Sequence, residues 1–258
     1  MGFDPIERVF QIALSDPEDE PPVISAALEK NIRSIRRVYP KAAYQLVDGR
    51  AARVFLAAHF EPAVLSCYEH IVPMAYRADL LRYCLLYVHG GLYSDLSHYH
   101  LRPIRVPERA EMLLFRDISH HPDHAVSNGL MYSKPGSAVM FEAIQRILAH
   151  AKARFYGDTP LDPTGPYLLG RVVQEIGGSG ISMGHSRPCR PGWLARWVRK
   201  QHQVHVQKIT TDQRVVAEKR KAGNADVAEF LGEGGNDYND LWLRRRVWGE
   251  GDGTGEGA

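Results

Sequence analysis

The stretch that most constrains this chain is YRADLLRYCLLYVHGGLYSDLS, Tyr76 to Ser97. Leu81, Cys84, Leu85 and Val88 recur at i, i+3, i+4 and i+7, the stripe of a core-facing helix. Gly90 and Gly91 end that helix and make a tight link. Leu92, Tyr93 and Leu96 then read as strand. A helix passing through two glycines straight into an apolar strand belongs to a layered α/β architecture. Asp79 and Arg82 are three apart, so they are neighbours on the helix surface. One reading is an ordinary exposed ion pair. The other is a partly buried pair, because this helix is apolar on most sides and a buried charge needs a partner. Asp95 suits a strand interior poorly, so it belongs at the strand's carboxyl end, where open α/β sheets bind ligands. A carboxylate there fits a sugar hydroxyl, a ribose or a divalent cation.

The rest of the chain alternates in the same way. Ile6–Leu14, Ala42–Gly49, Met112–Phe115, Leu130–Tyr132 and Gln203–Ile209 read as strands. Val23–Val38, Arg50–His59, Glu61–His70, Ser137–Phe155 and the segment from Thr164–Pro166 to Gly177 read as helices, the last with Pro early and Gly late. The predicted fold is α/β, with helices flanking a mostly parallel sheet. GGSGISMG is Gly-rich but follows a helix, so it is not a phosphate loop.

With 258 residues, 44% hydrophobic, the chain can bury a substantial core. A formal net charge of +2 argues against a polyanion binder, and nothing else supports nucleic-acid binding. Cys67, Cys84 and Cys189 make no CxxC pair and no disulfide framework, the usage of a reducing compartment. No signal peptide, myristoylation pattern or membrane-length apolar run is evident. The expected location is cytoplasmic.

The ordered positions Ala78-Asp79, Arg82, Leu86, Gly90-Gly91, Tyr93 and Asp95 resemble the pattern A/S-D-x-x-R-x-x-x-L-x-x-x-G-G-x-Y-x-D-x-D. That is the pattern of the DXD-containing family-32 glycosyltransferases, which include outer-chain mannosyltransferases, α-1,4-glycosyltransferases and capsular polysaccharide transferases. Weaker echoes lie in IERVFQIAL with Gln11, in SNGLMYSKPGS with Asn128, in Thr164-Gly165-Pro166, and in YNDLW ending at Trp242. The resemblance spans roughly residues 5–248 and is sharp across 75–104.

The resemblance implies a GT-A fold over residues 1–248, a nucleotide-sugar donor (UDP- or GDP-linked), Mn²⁺ or Mg²⁺, and retention of configuration. It assigns catalysis to Asp79, Arg82 and Asp95, and donor binding to these with Gln11, Tyr93, Asn128 and Trp242. It assigns the metal to Asp95 and the position of Ser97. The acceptor it implies is a glycan or a lipid-linked saccharide.

Ser97 departs from the pattern, because the second Asp of DXD is the family's metal ligand and Ser is a weak one. Three readings follow. Asp95 keeps the metal with His98, His100, Asp237 or Asn239; or Arg and Lys neutralise the diphosphate without metal; or the chain binds a sugar nucleotide or glycan without catalysis. Ser97–His100 alternates as an extended chain, with His98 and His100 on one face, as replacement ligands or as exposed histidines. His120–His124 reads as a solvent loop, lacking the spacing of a helix-borne zinc site. A metal hydrolase built on the histidines is a further alternative.

Arg187–His202 is basic, with Trp193 and Trp197 at i, i+4. It suits peripheral contact with an anionic membrane face, a lid over the acceptor, or plain packing. Lys219, Arg220 and Lys221 suit a diphosphate or a charged turn. Residues 249–258 have the composition of a disordered Gly-rich tail.

Overall fold

The computed structural model describes residues 2–15, 22–189, 204–220 and 236–249. In chain order the elements are β1 (Phe3–Asp4), β2 (Arg8–Ile12), α1 (Ala26–Val38), β3 (Ala43–Val47), α2 (Gly49–His59), α3 (Pro62–His70) and α4 (Met74–His89). Then come β4 (Gly91–Ser94), β5 (His98–His100), β6 (Val106–Pro107), β7 (Met112–Arg116), β8 (Val126–Ser133), α5 (Ala138–Lys152) and α6 (Pro166–Ile176). The last are β9 (Ile181–Pro188), β10 (Val204–Ile209), β11 (Val215–Arg220) and α7 (Tyr238–Leu243).

Nine strands form one sheet in the order β3-β2-β4-β8-β7-β9-β10-β11-β5. Residues of β2, β4, β7 and β8 alternate between two apolar layers, so these strands read as largely hydrophobic. Phe10, Tyr93, Leu114 and Met131 face the layer built with α3, α4, α5 and α6. Their neighbours Val9, Leu92, Leu113 and Leu130 face the opposite layer, with Ile35 and Tyr39 at the end of α1. The sheet is more mixed than the apolar runs predict. β2 pairs in parallel with β3 and β4, and β7 with β9, while the other ladders are antiparallel. The connection from β7 to β8, and that from β10 to β11, is too short for a parallel crossover.

Local chemistry sets the element ends. Ser25, Asp48 and Ser137 accept from backbone N–H groups of the helices they precede, so α1 starts at Ala26 rather than Val23. Gly90 and Gly91 take φ of 63° and 105°, and a Cβ on Gly91 would sit 2.7 Å from the Arg8 carbonyl oxygen. Only glycine combines that backbone with that approach. β8 is longer than Leu130–Tyr132 because Val126 and Ser127 pair with Arg116 and Phe115 of β7 beyond a register shift. β9 grows out of the glycine-rich segment after α6, and β11 takes in Lys219. Gly249 is not yet tail, since its N–H donates to the His70 carbonyl at 2.7 Å. Most of the basic Trp segment and residues 250–258 lie outside the described residues.

Candidate active site

α4 buries every residue from Asp79 to Leu86, so the Asp79–Arg82 pair is not a surface pair. Arg82 is 5% exposed and Asp79 7%. The Arg82 guanidinium is committed in four directions. Nη2 lies 3.1 Å from Asp79 Oδ1 and Nη1 3.1 Å from Asp95 Oδ1. Nη1 also donates to the Asn128 carbonyl at 2.9 Å, and Nε to the Ala78 carbonyl at 3.0 Å. Its plane lies over the Tyr93 ring, 4.6 Å from the centroid.

Asp79 is satisfied on both oxygens. Asn128 Nδ2 donates to Oδ1 at 2.9 Å and the Thr164 hydroxyl to Oδ2 at 2.7 Å. Burial pushes this carboxyl up, against the Arg82 charge and these two hydrogen bonds. Asp95 stands just past β4, as its poor strand propensity predicts. Tyr93, two residues back on the same face, donates its hydroxyl to Asp95 Oδ1 at 2.7 Å. Gly129 leaves room for the other oxygen, because a Cβ there would lie 2.4 Å from Asp95 Oδ2.

Asp79, Arg82, Asp95, Asn128 and Gly129 line a cavity of about 320 Å³, while Tyr93 and Thr164 are buried and do not line it; the volume is within the size range of small-ligand sites. Tyr76, Pro166 and Tyr238 lend it apolar surface, and Asp117 and His121 line it from the loop after β7. His121 Nδ1 is 3.0 Å from Asp117 Oδ2, so part of the histidine loop reaches the site while His120 stays exposed.

Further lining comes from β5, β10 and β11. Lys208 on β10 and Lys219 on β11 reach the cavity, and His98 on β5 joins them. His98 and His100 are both buried, at 1% and 0% exposure, which corrects the expectation of exposed histidines. They are covered because β5 pairs with β11, a long-range contact without a local signature. His100 Nε2 is 2.9 Å from Ser94 Oγ, while neither ring nitrogen of His98 has a partner. Burial, with Lys208 and Lys219 nearby, holds His98 well below the usual imidazole range.

Other expected donor-site residues fall outside the cavity lining. Gln11 is fully buried behind Asp95, its Nε2 3.4 Å from the Asp95 carbonyl and its Oε1 accepting from Tyr44. Trp242 does not reach the cavity; its indole donates to the Tyr156 carbonyl at 2.8 Å, and Tyr238 of the same helix lines the site instead. Ser97 sits half-buried in the turn after Asp95 and does not line the cavity. Lys208 was the residue sequence reasoning missed. Its signal was a lysine in register with Val204 and Val206 on an alternating strand.

A divalent cation does not fit the residues present. Among the described residues no three His, Cys, Asp or Glu side chains converge to hold one. Asp95 Oδ1 is already taken by Arg82 and Tyr93, and two lysines face the same space. No described helix is long and apolar enough to cross a membrane.

Residues 25–117 match the family model described as the glycosyltransferase sugar-binding region containing DXD motif. An uncharacterized glycosyltransferase, L373, of Acanthamoeba polyphaga mimivirus is 41% identical over 50 residues, 19% of this chain and 20% of that protein. The putative glycosyltransferase HOC1 of Saccharomyces cerevisiae (strain ATCC 204508 / S288c) is 26% identical over 103 residues, 34% of this chain and 26% of that one. The matched segments thus span about a quarter or less of these curated relatives. Among solved structures, the PaToxG glycosyltransferase superposes with a TM-score of 0.51 at 14% identity, over 67% of this chain and 69% of that chain. Its likeness gives the fold, an α/β glycosyltransferase architecture of GT-A type. Over residues 25–117 the chain is similar to the sugar-binding region of the DXD-containing glycosyltransferases.

Proposed function

We propose that this protein transfers a hexose from a UDP- or GDP-linked sugar to a hydroxyl of a glycan or lipid-linked saccharide, with residues 1–248 acting as one unit. The observation that carries this reading is the convergence of Asp79, Arg82 and Asp95 on a single cavity at the carboxyl end of β4. Ligands of open α/β sheets bind at such ends.

In the proposed reaction the anomeric C1–O bond to the diphosphate breaks and its electron pair leaves with the diphosphate. The acceptor hydroxyl oxygen bonds C1 and gives up its proton to the departing diphosphate oxygen, a front-face course that retains configuration. The anomeric carbon gains positive charge as this happens, and carboxylates at the site stabilise it. Asp95, the more open of the two, faces the sugar. Asp79 holds Arg82, and Arg82 holds Asp95 in place.

The test is to incubate the protein with UDP- and GDP-hexoses and measure release of the nucleoside diphosphate, with and without saccharide acceptors. Release that disappears in Asp95→Ala supports the reading. Release that persists in this variant, or is absent with every donor, rejects it. Ser97 favours a second reading, a sugar-nucleotide or glycan binder without turnover. Donor binding without transfer or slow hydrolysis would select it.

A further inference from the structure

We propose that Lys208, assisted by Lys219 and His98, forms the site for the diphosphate of the donor and supplies the positive charge that a metal would otherwise supply. The inference rests on the nucleotide-sugar reading above and names the group that this wall of the same cavity recognises.

The sheet register builds the site. Val206 on β10 is opposite Lys219 on β11, and Lys219 is opposite His98 on β5. Lys208 is two residues from Val206 and opposite Ser186 on β9. Paired residues share a face and so do residues two apart. Lys208, Lys219, His98 and Ser186 therefore lie on one face, and the first three line the same cavity as Asp95.

Charge bookkeeping separates this wall from the other. Three carboxylates line the cavity, Asp79, Asp95 and Asp117, with three cations, Arg82, Lys208 and Lys219. Arg82 is spent on Asp79 and Asp95, and Asp117 accepts from its own loop and His121. Among the described residues neither lysine has a carboxylate at ion-pair distance, and Asp117 and Asp95 act on Lys208 only from farther away. Lys208 is 3% exposed. Its ammonium donates only to neutral hydroxyls, Ser127 Oγ at 2.5 Å and Ser186 Oγ at 2.8 Å. An ammonium has three N–H bonds, so one remains. A buried cation whose direct partners are only neutral hydroxyls is costly, and a bound polyanion offsets that cost. His98 adds a second unmet need, a buried ring with both nitrogens unpartnered. A neutral imidazole N–H suits a phosphoryl oxygen. The same two lysines repel a divalent cation, in keeping with the loss of the motif carboxylate at Ser97.

The experiment is calorimetric titration of the protein and its Lys208→Met and Lys219→Ala variants with UDP and GDP, each in EDTA and in Mn²⁺. Expected is binding of one nucleoside diphosphate in EDTA, weakened at least about tenfold in K208M and about threefold in K219A. Lys208→Arg keeps the charge and should retain part of the affinity. Should K208M fail to fold, K219A, altered at an exposed side chain, and the wild type in EDTA still decide. Wild-type binding only in Mn²⁺ overturns this inference and leaves the function standing. Binding in EDTA that ignores both substitutions also overturns it. No binding under any condition overturns both this inference and the nucleotide-sugar reading.

Discussion

Arg82 Nη1 stands 3.1 Å from Asp95 Oδ1, so the motif carboxylate is held by a buried cation before any substrate arrives. Thirteen positions separate the two residues, and the turn at Gly90-Gly91 folds one back onto the other. The carboxylate is thereby held in one orientation, which lowers the cost of aligning it with a ligand.

If Asp95 faces the reacting sugar, Asp95→Asn should lower transfer by about 100-fold or more, the scale of a lost electrostatic contact in a transition state. Its half-buried position predicts a small change in melting temperature. Donor turnover assayed beside thermal unfolding separates the two effects, and near-normal turnover would count against the assignment.

Arg82→Met removes the one cation paired with Asp79 among the described residues. A buried carboxylate left without its partner costs about 3–5 kcal/mol. Urea denaturation should show a loss of that order, and a loss below about 1 kcal/mol would mean that Asp79 is better solvated than its 7% exposure implies.

Gly129→Ala places a Cβ 2.4 Å from Asp95 Oδ2. The carboxylate must move, and a displacement of this kind costs about 100-fold in rate where alignment matters. Stability should fall much less than activity. An alanine variant that keeps full turnover would show that Asp95 need not hold its observed place.

Thr164→Val keeps shape but deletes the donor to Asp79 Oδ2. The buried oxygen is then unsatisfied, at a cost of about 1–3 kcal/mol. Chemical denaturation of the variant reads that cost directly, and an unchanged midpoint would contradict the bond's importance.

Burial lowers the Lys208 ammonium from 10.5 to about 8. Between those values the unfolded chain holds a proton that the folded chain has lost, so stability rises with pH across that window. Below about 8 both states are protonated and the full cost of the buried charge is present. Lys208→Met lacks this slope. Its stability relative to wild type should therefore be highest below pH 8 and fall by roughly 1–3 kcal/mol towards pH 10.5. Denaturation curves at pH 7 and 10 decide it, and a constant difference would place Lys208 in water rather than in the protein.

What was legible in the sequence lay close together along the chain. The helix Met74–His89, the glycine link and the strand Gly91–Ser94 follow from a period of 3.6 giving way to an apolar strand across two glycines. The nearness of Asp79 to Arg82 follows from helical spacing, and the position of Asp95 from its dislike of a strand interior. The family pattern added which of these residues to watch.

Tertiary structure decided what depends on distant partners. Trp242 sits one helical turn from Tyr238, yet only Tyr238 reaches the cavity, because the Trp242 indole is tied to the Tyr156 carbonyl. Strands β9 and β11 carry glycine, histidine and charge, and exist because neighbouring strands supply their hydrogen bonds. Those ladders bury His98 and bring Lys208 into the cavity that Asp95 lines, from more than a hundred residues away. Helical and strand periods act over a few residues and can be read from the chain itself. The pairing of β5 with β11 closes only when the whole sheet is assembled, and with it the cationic wall of the site.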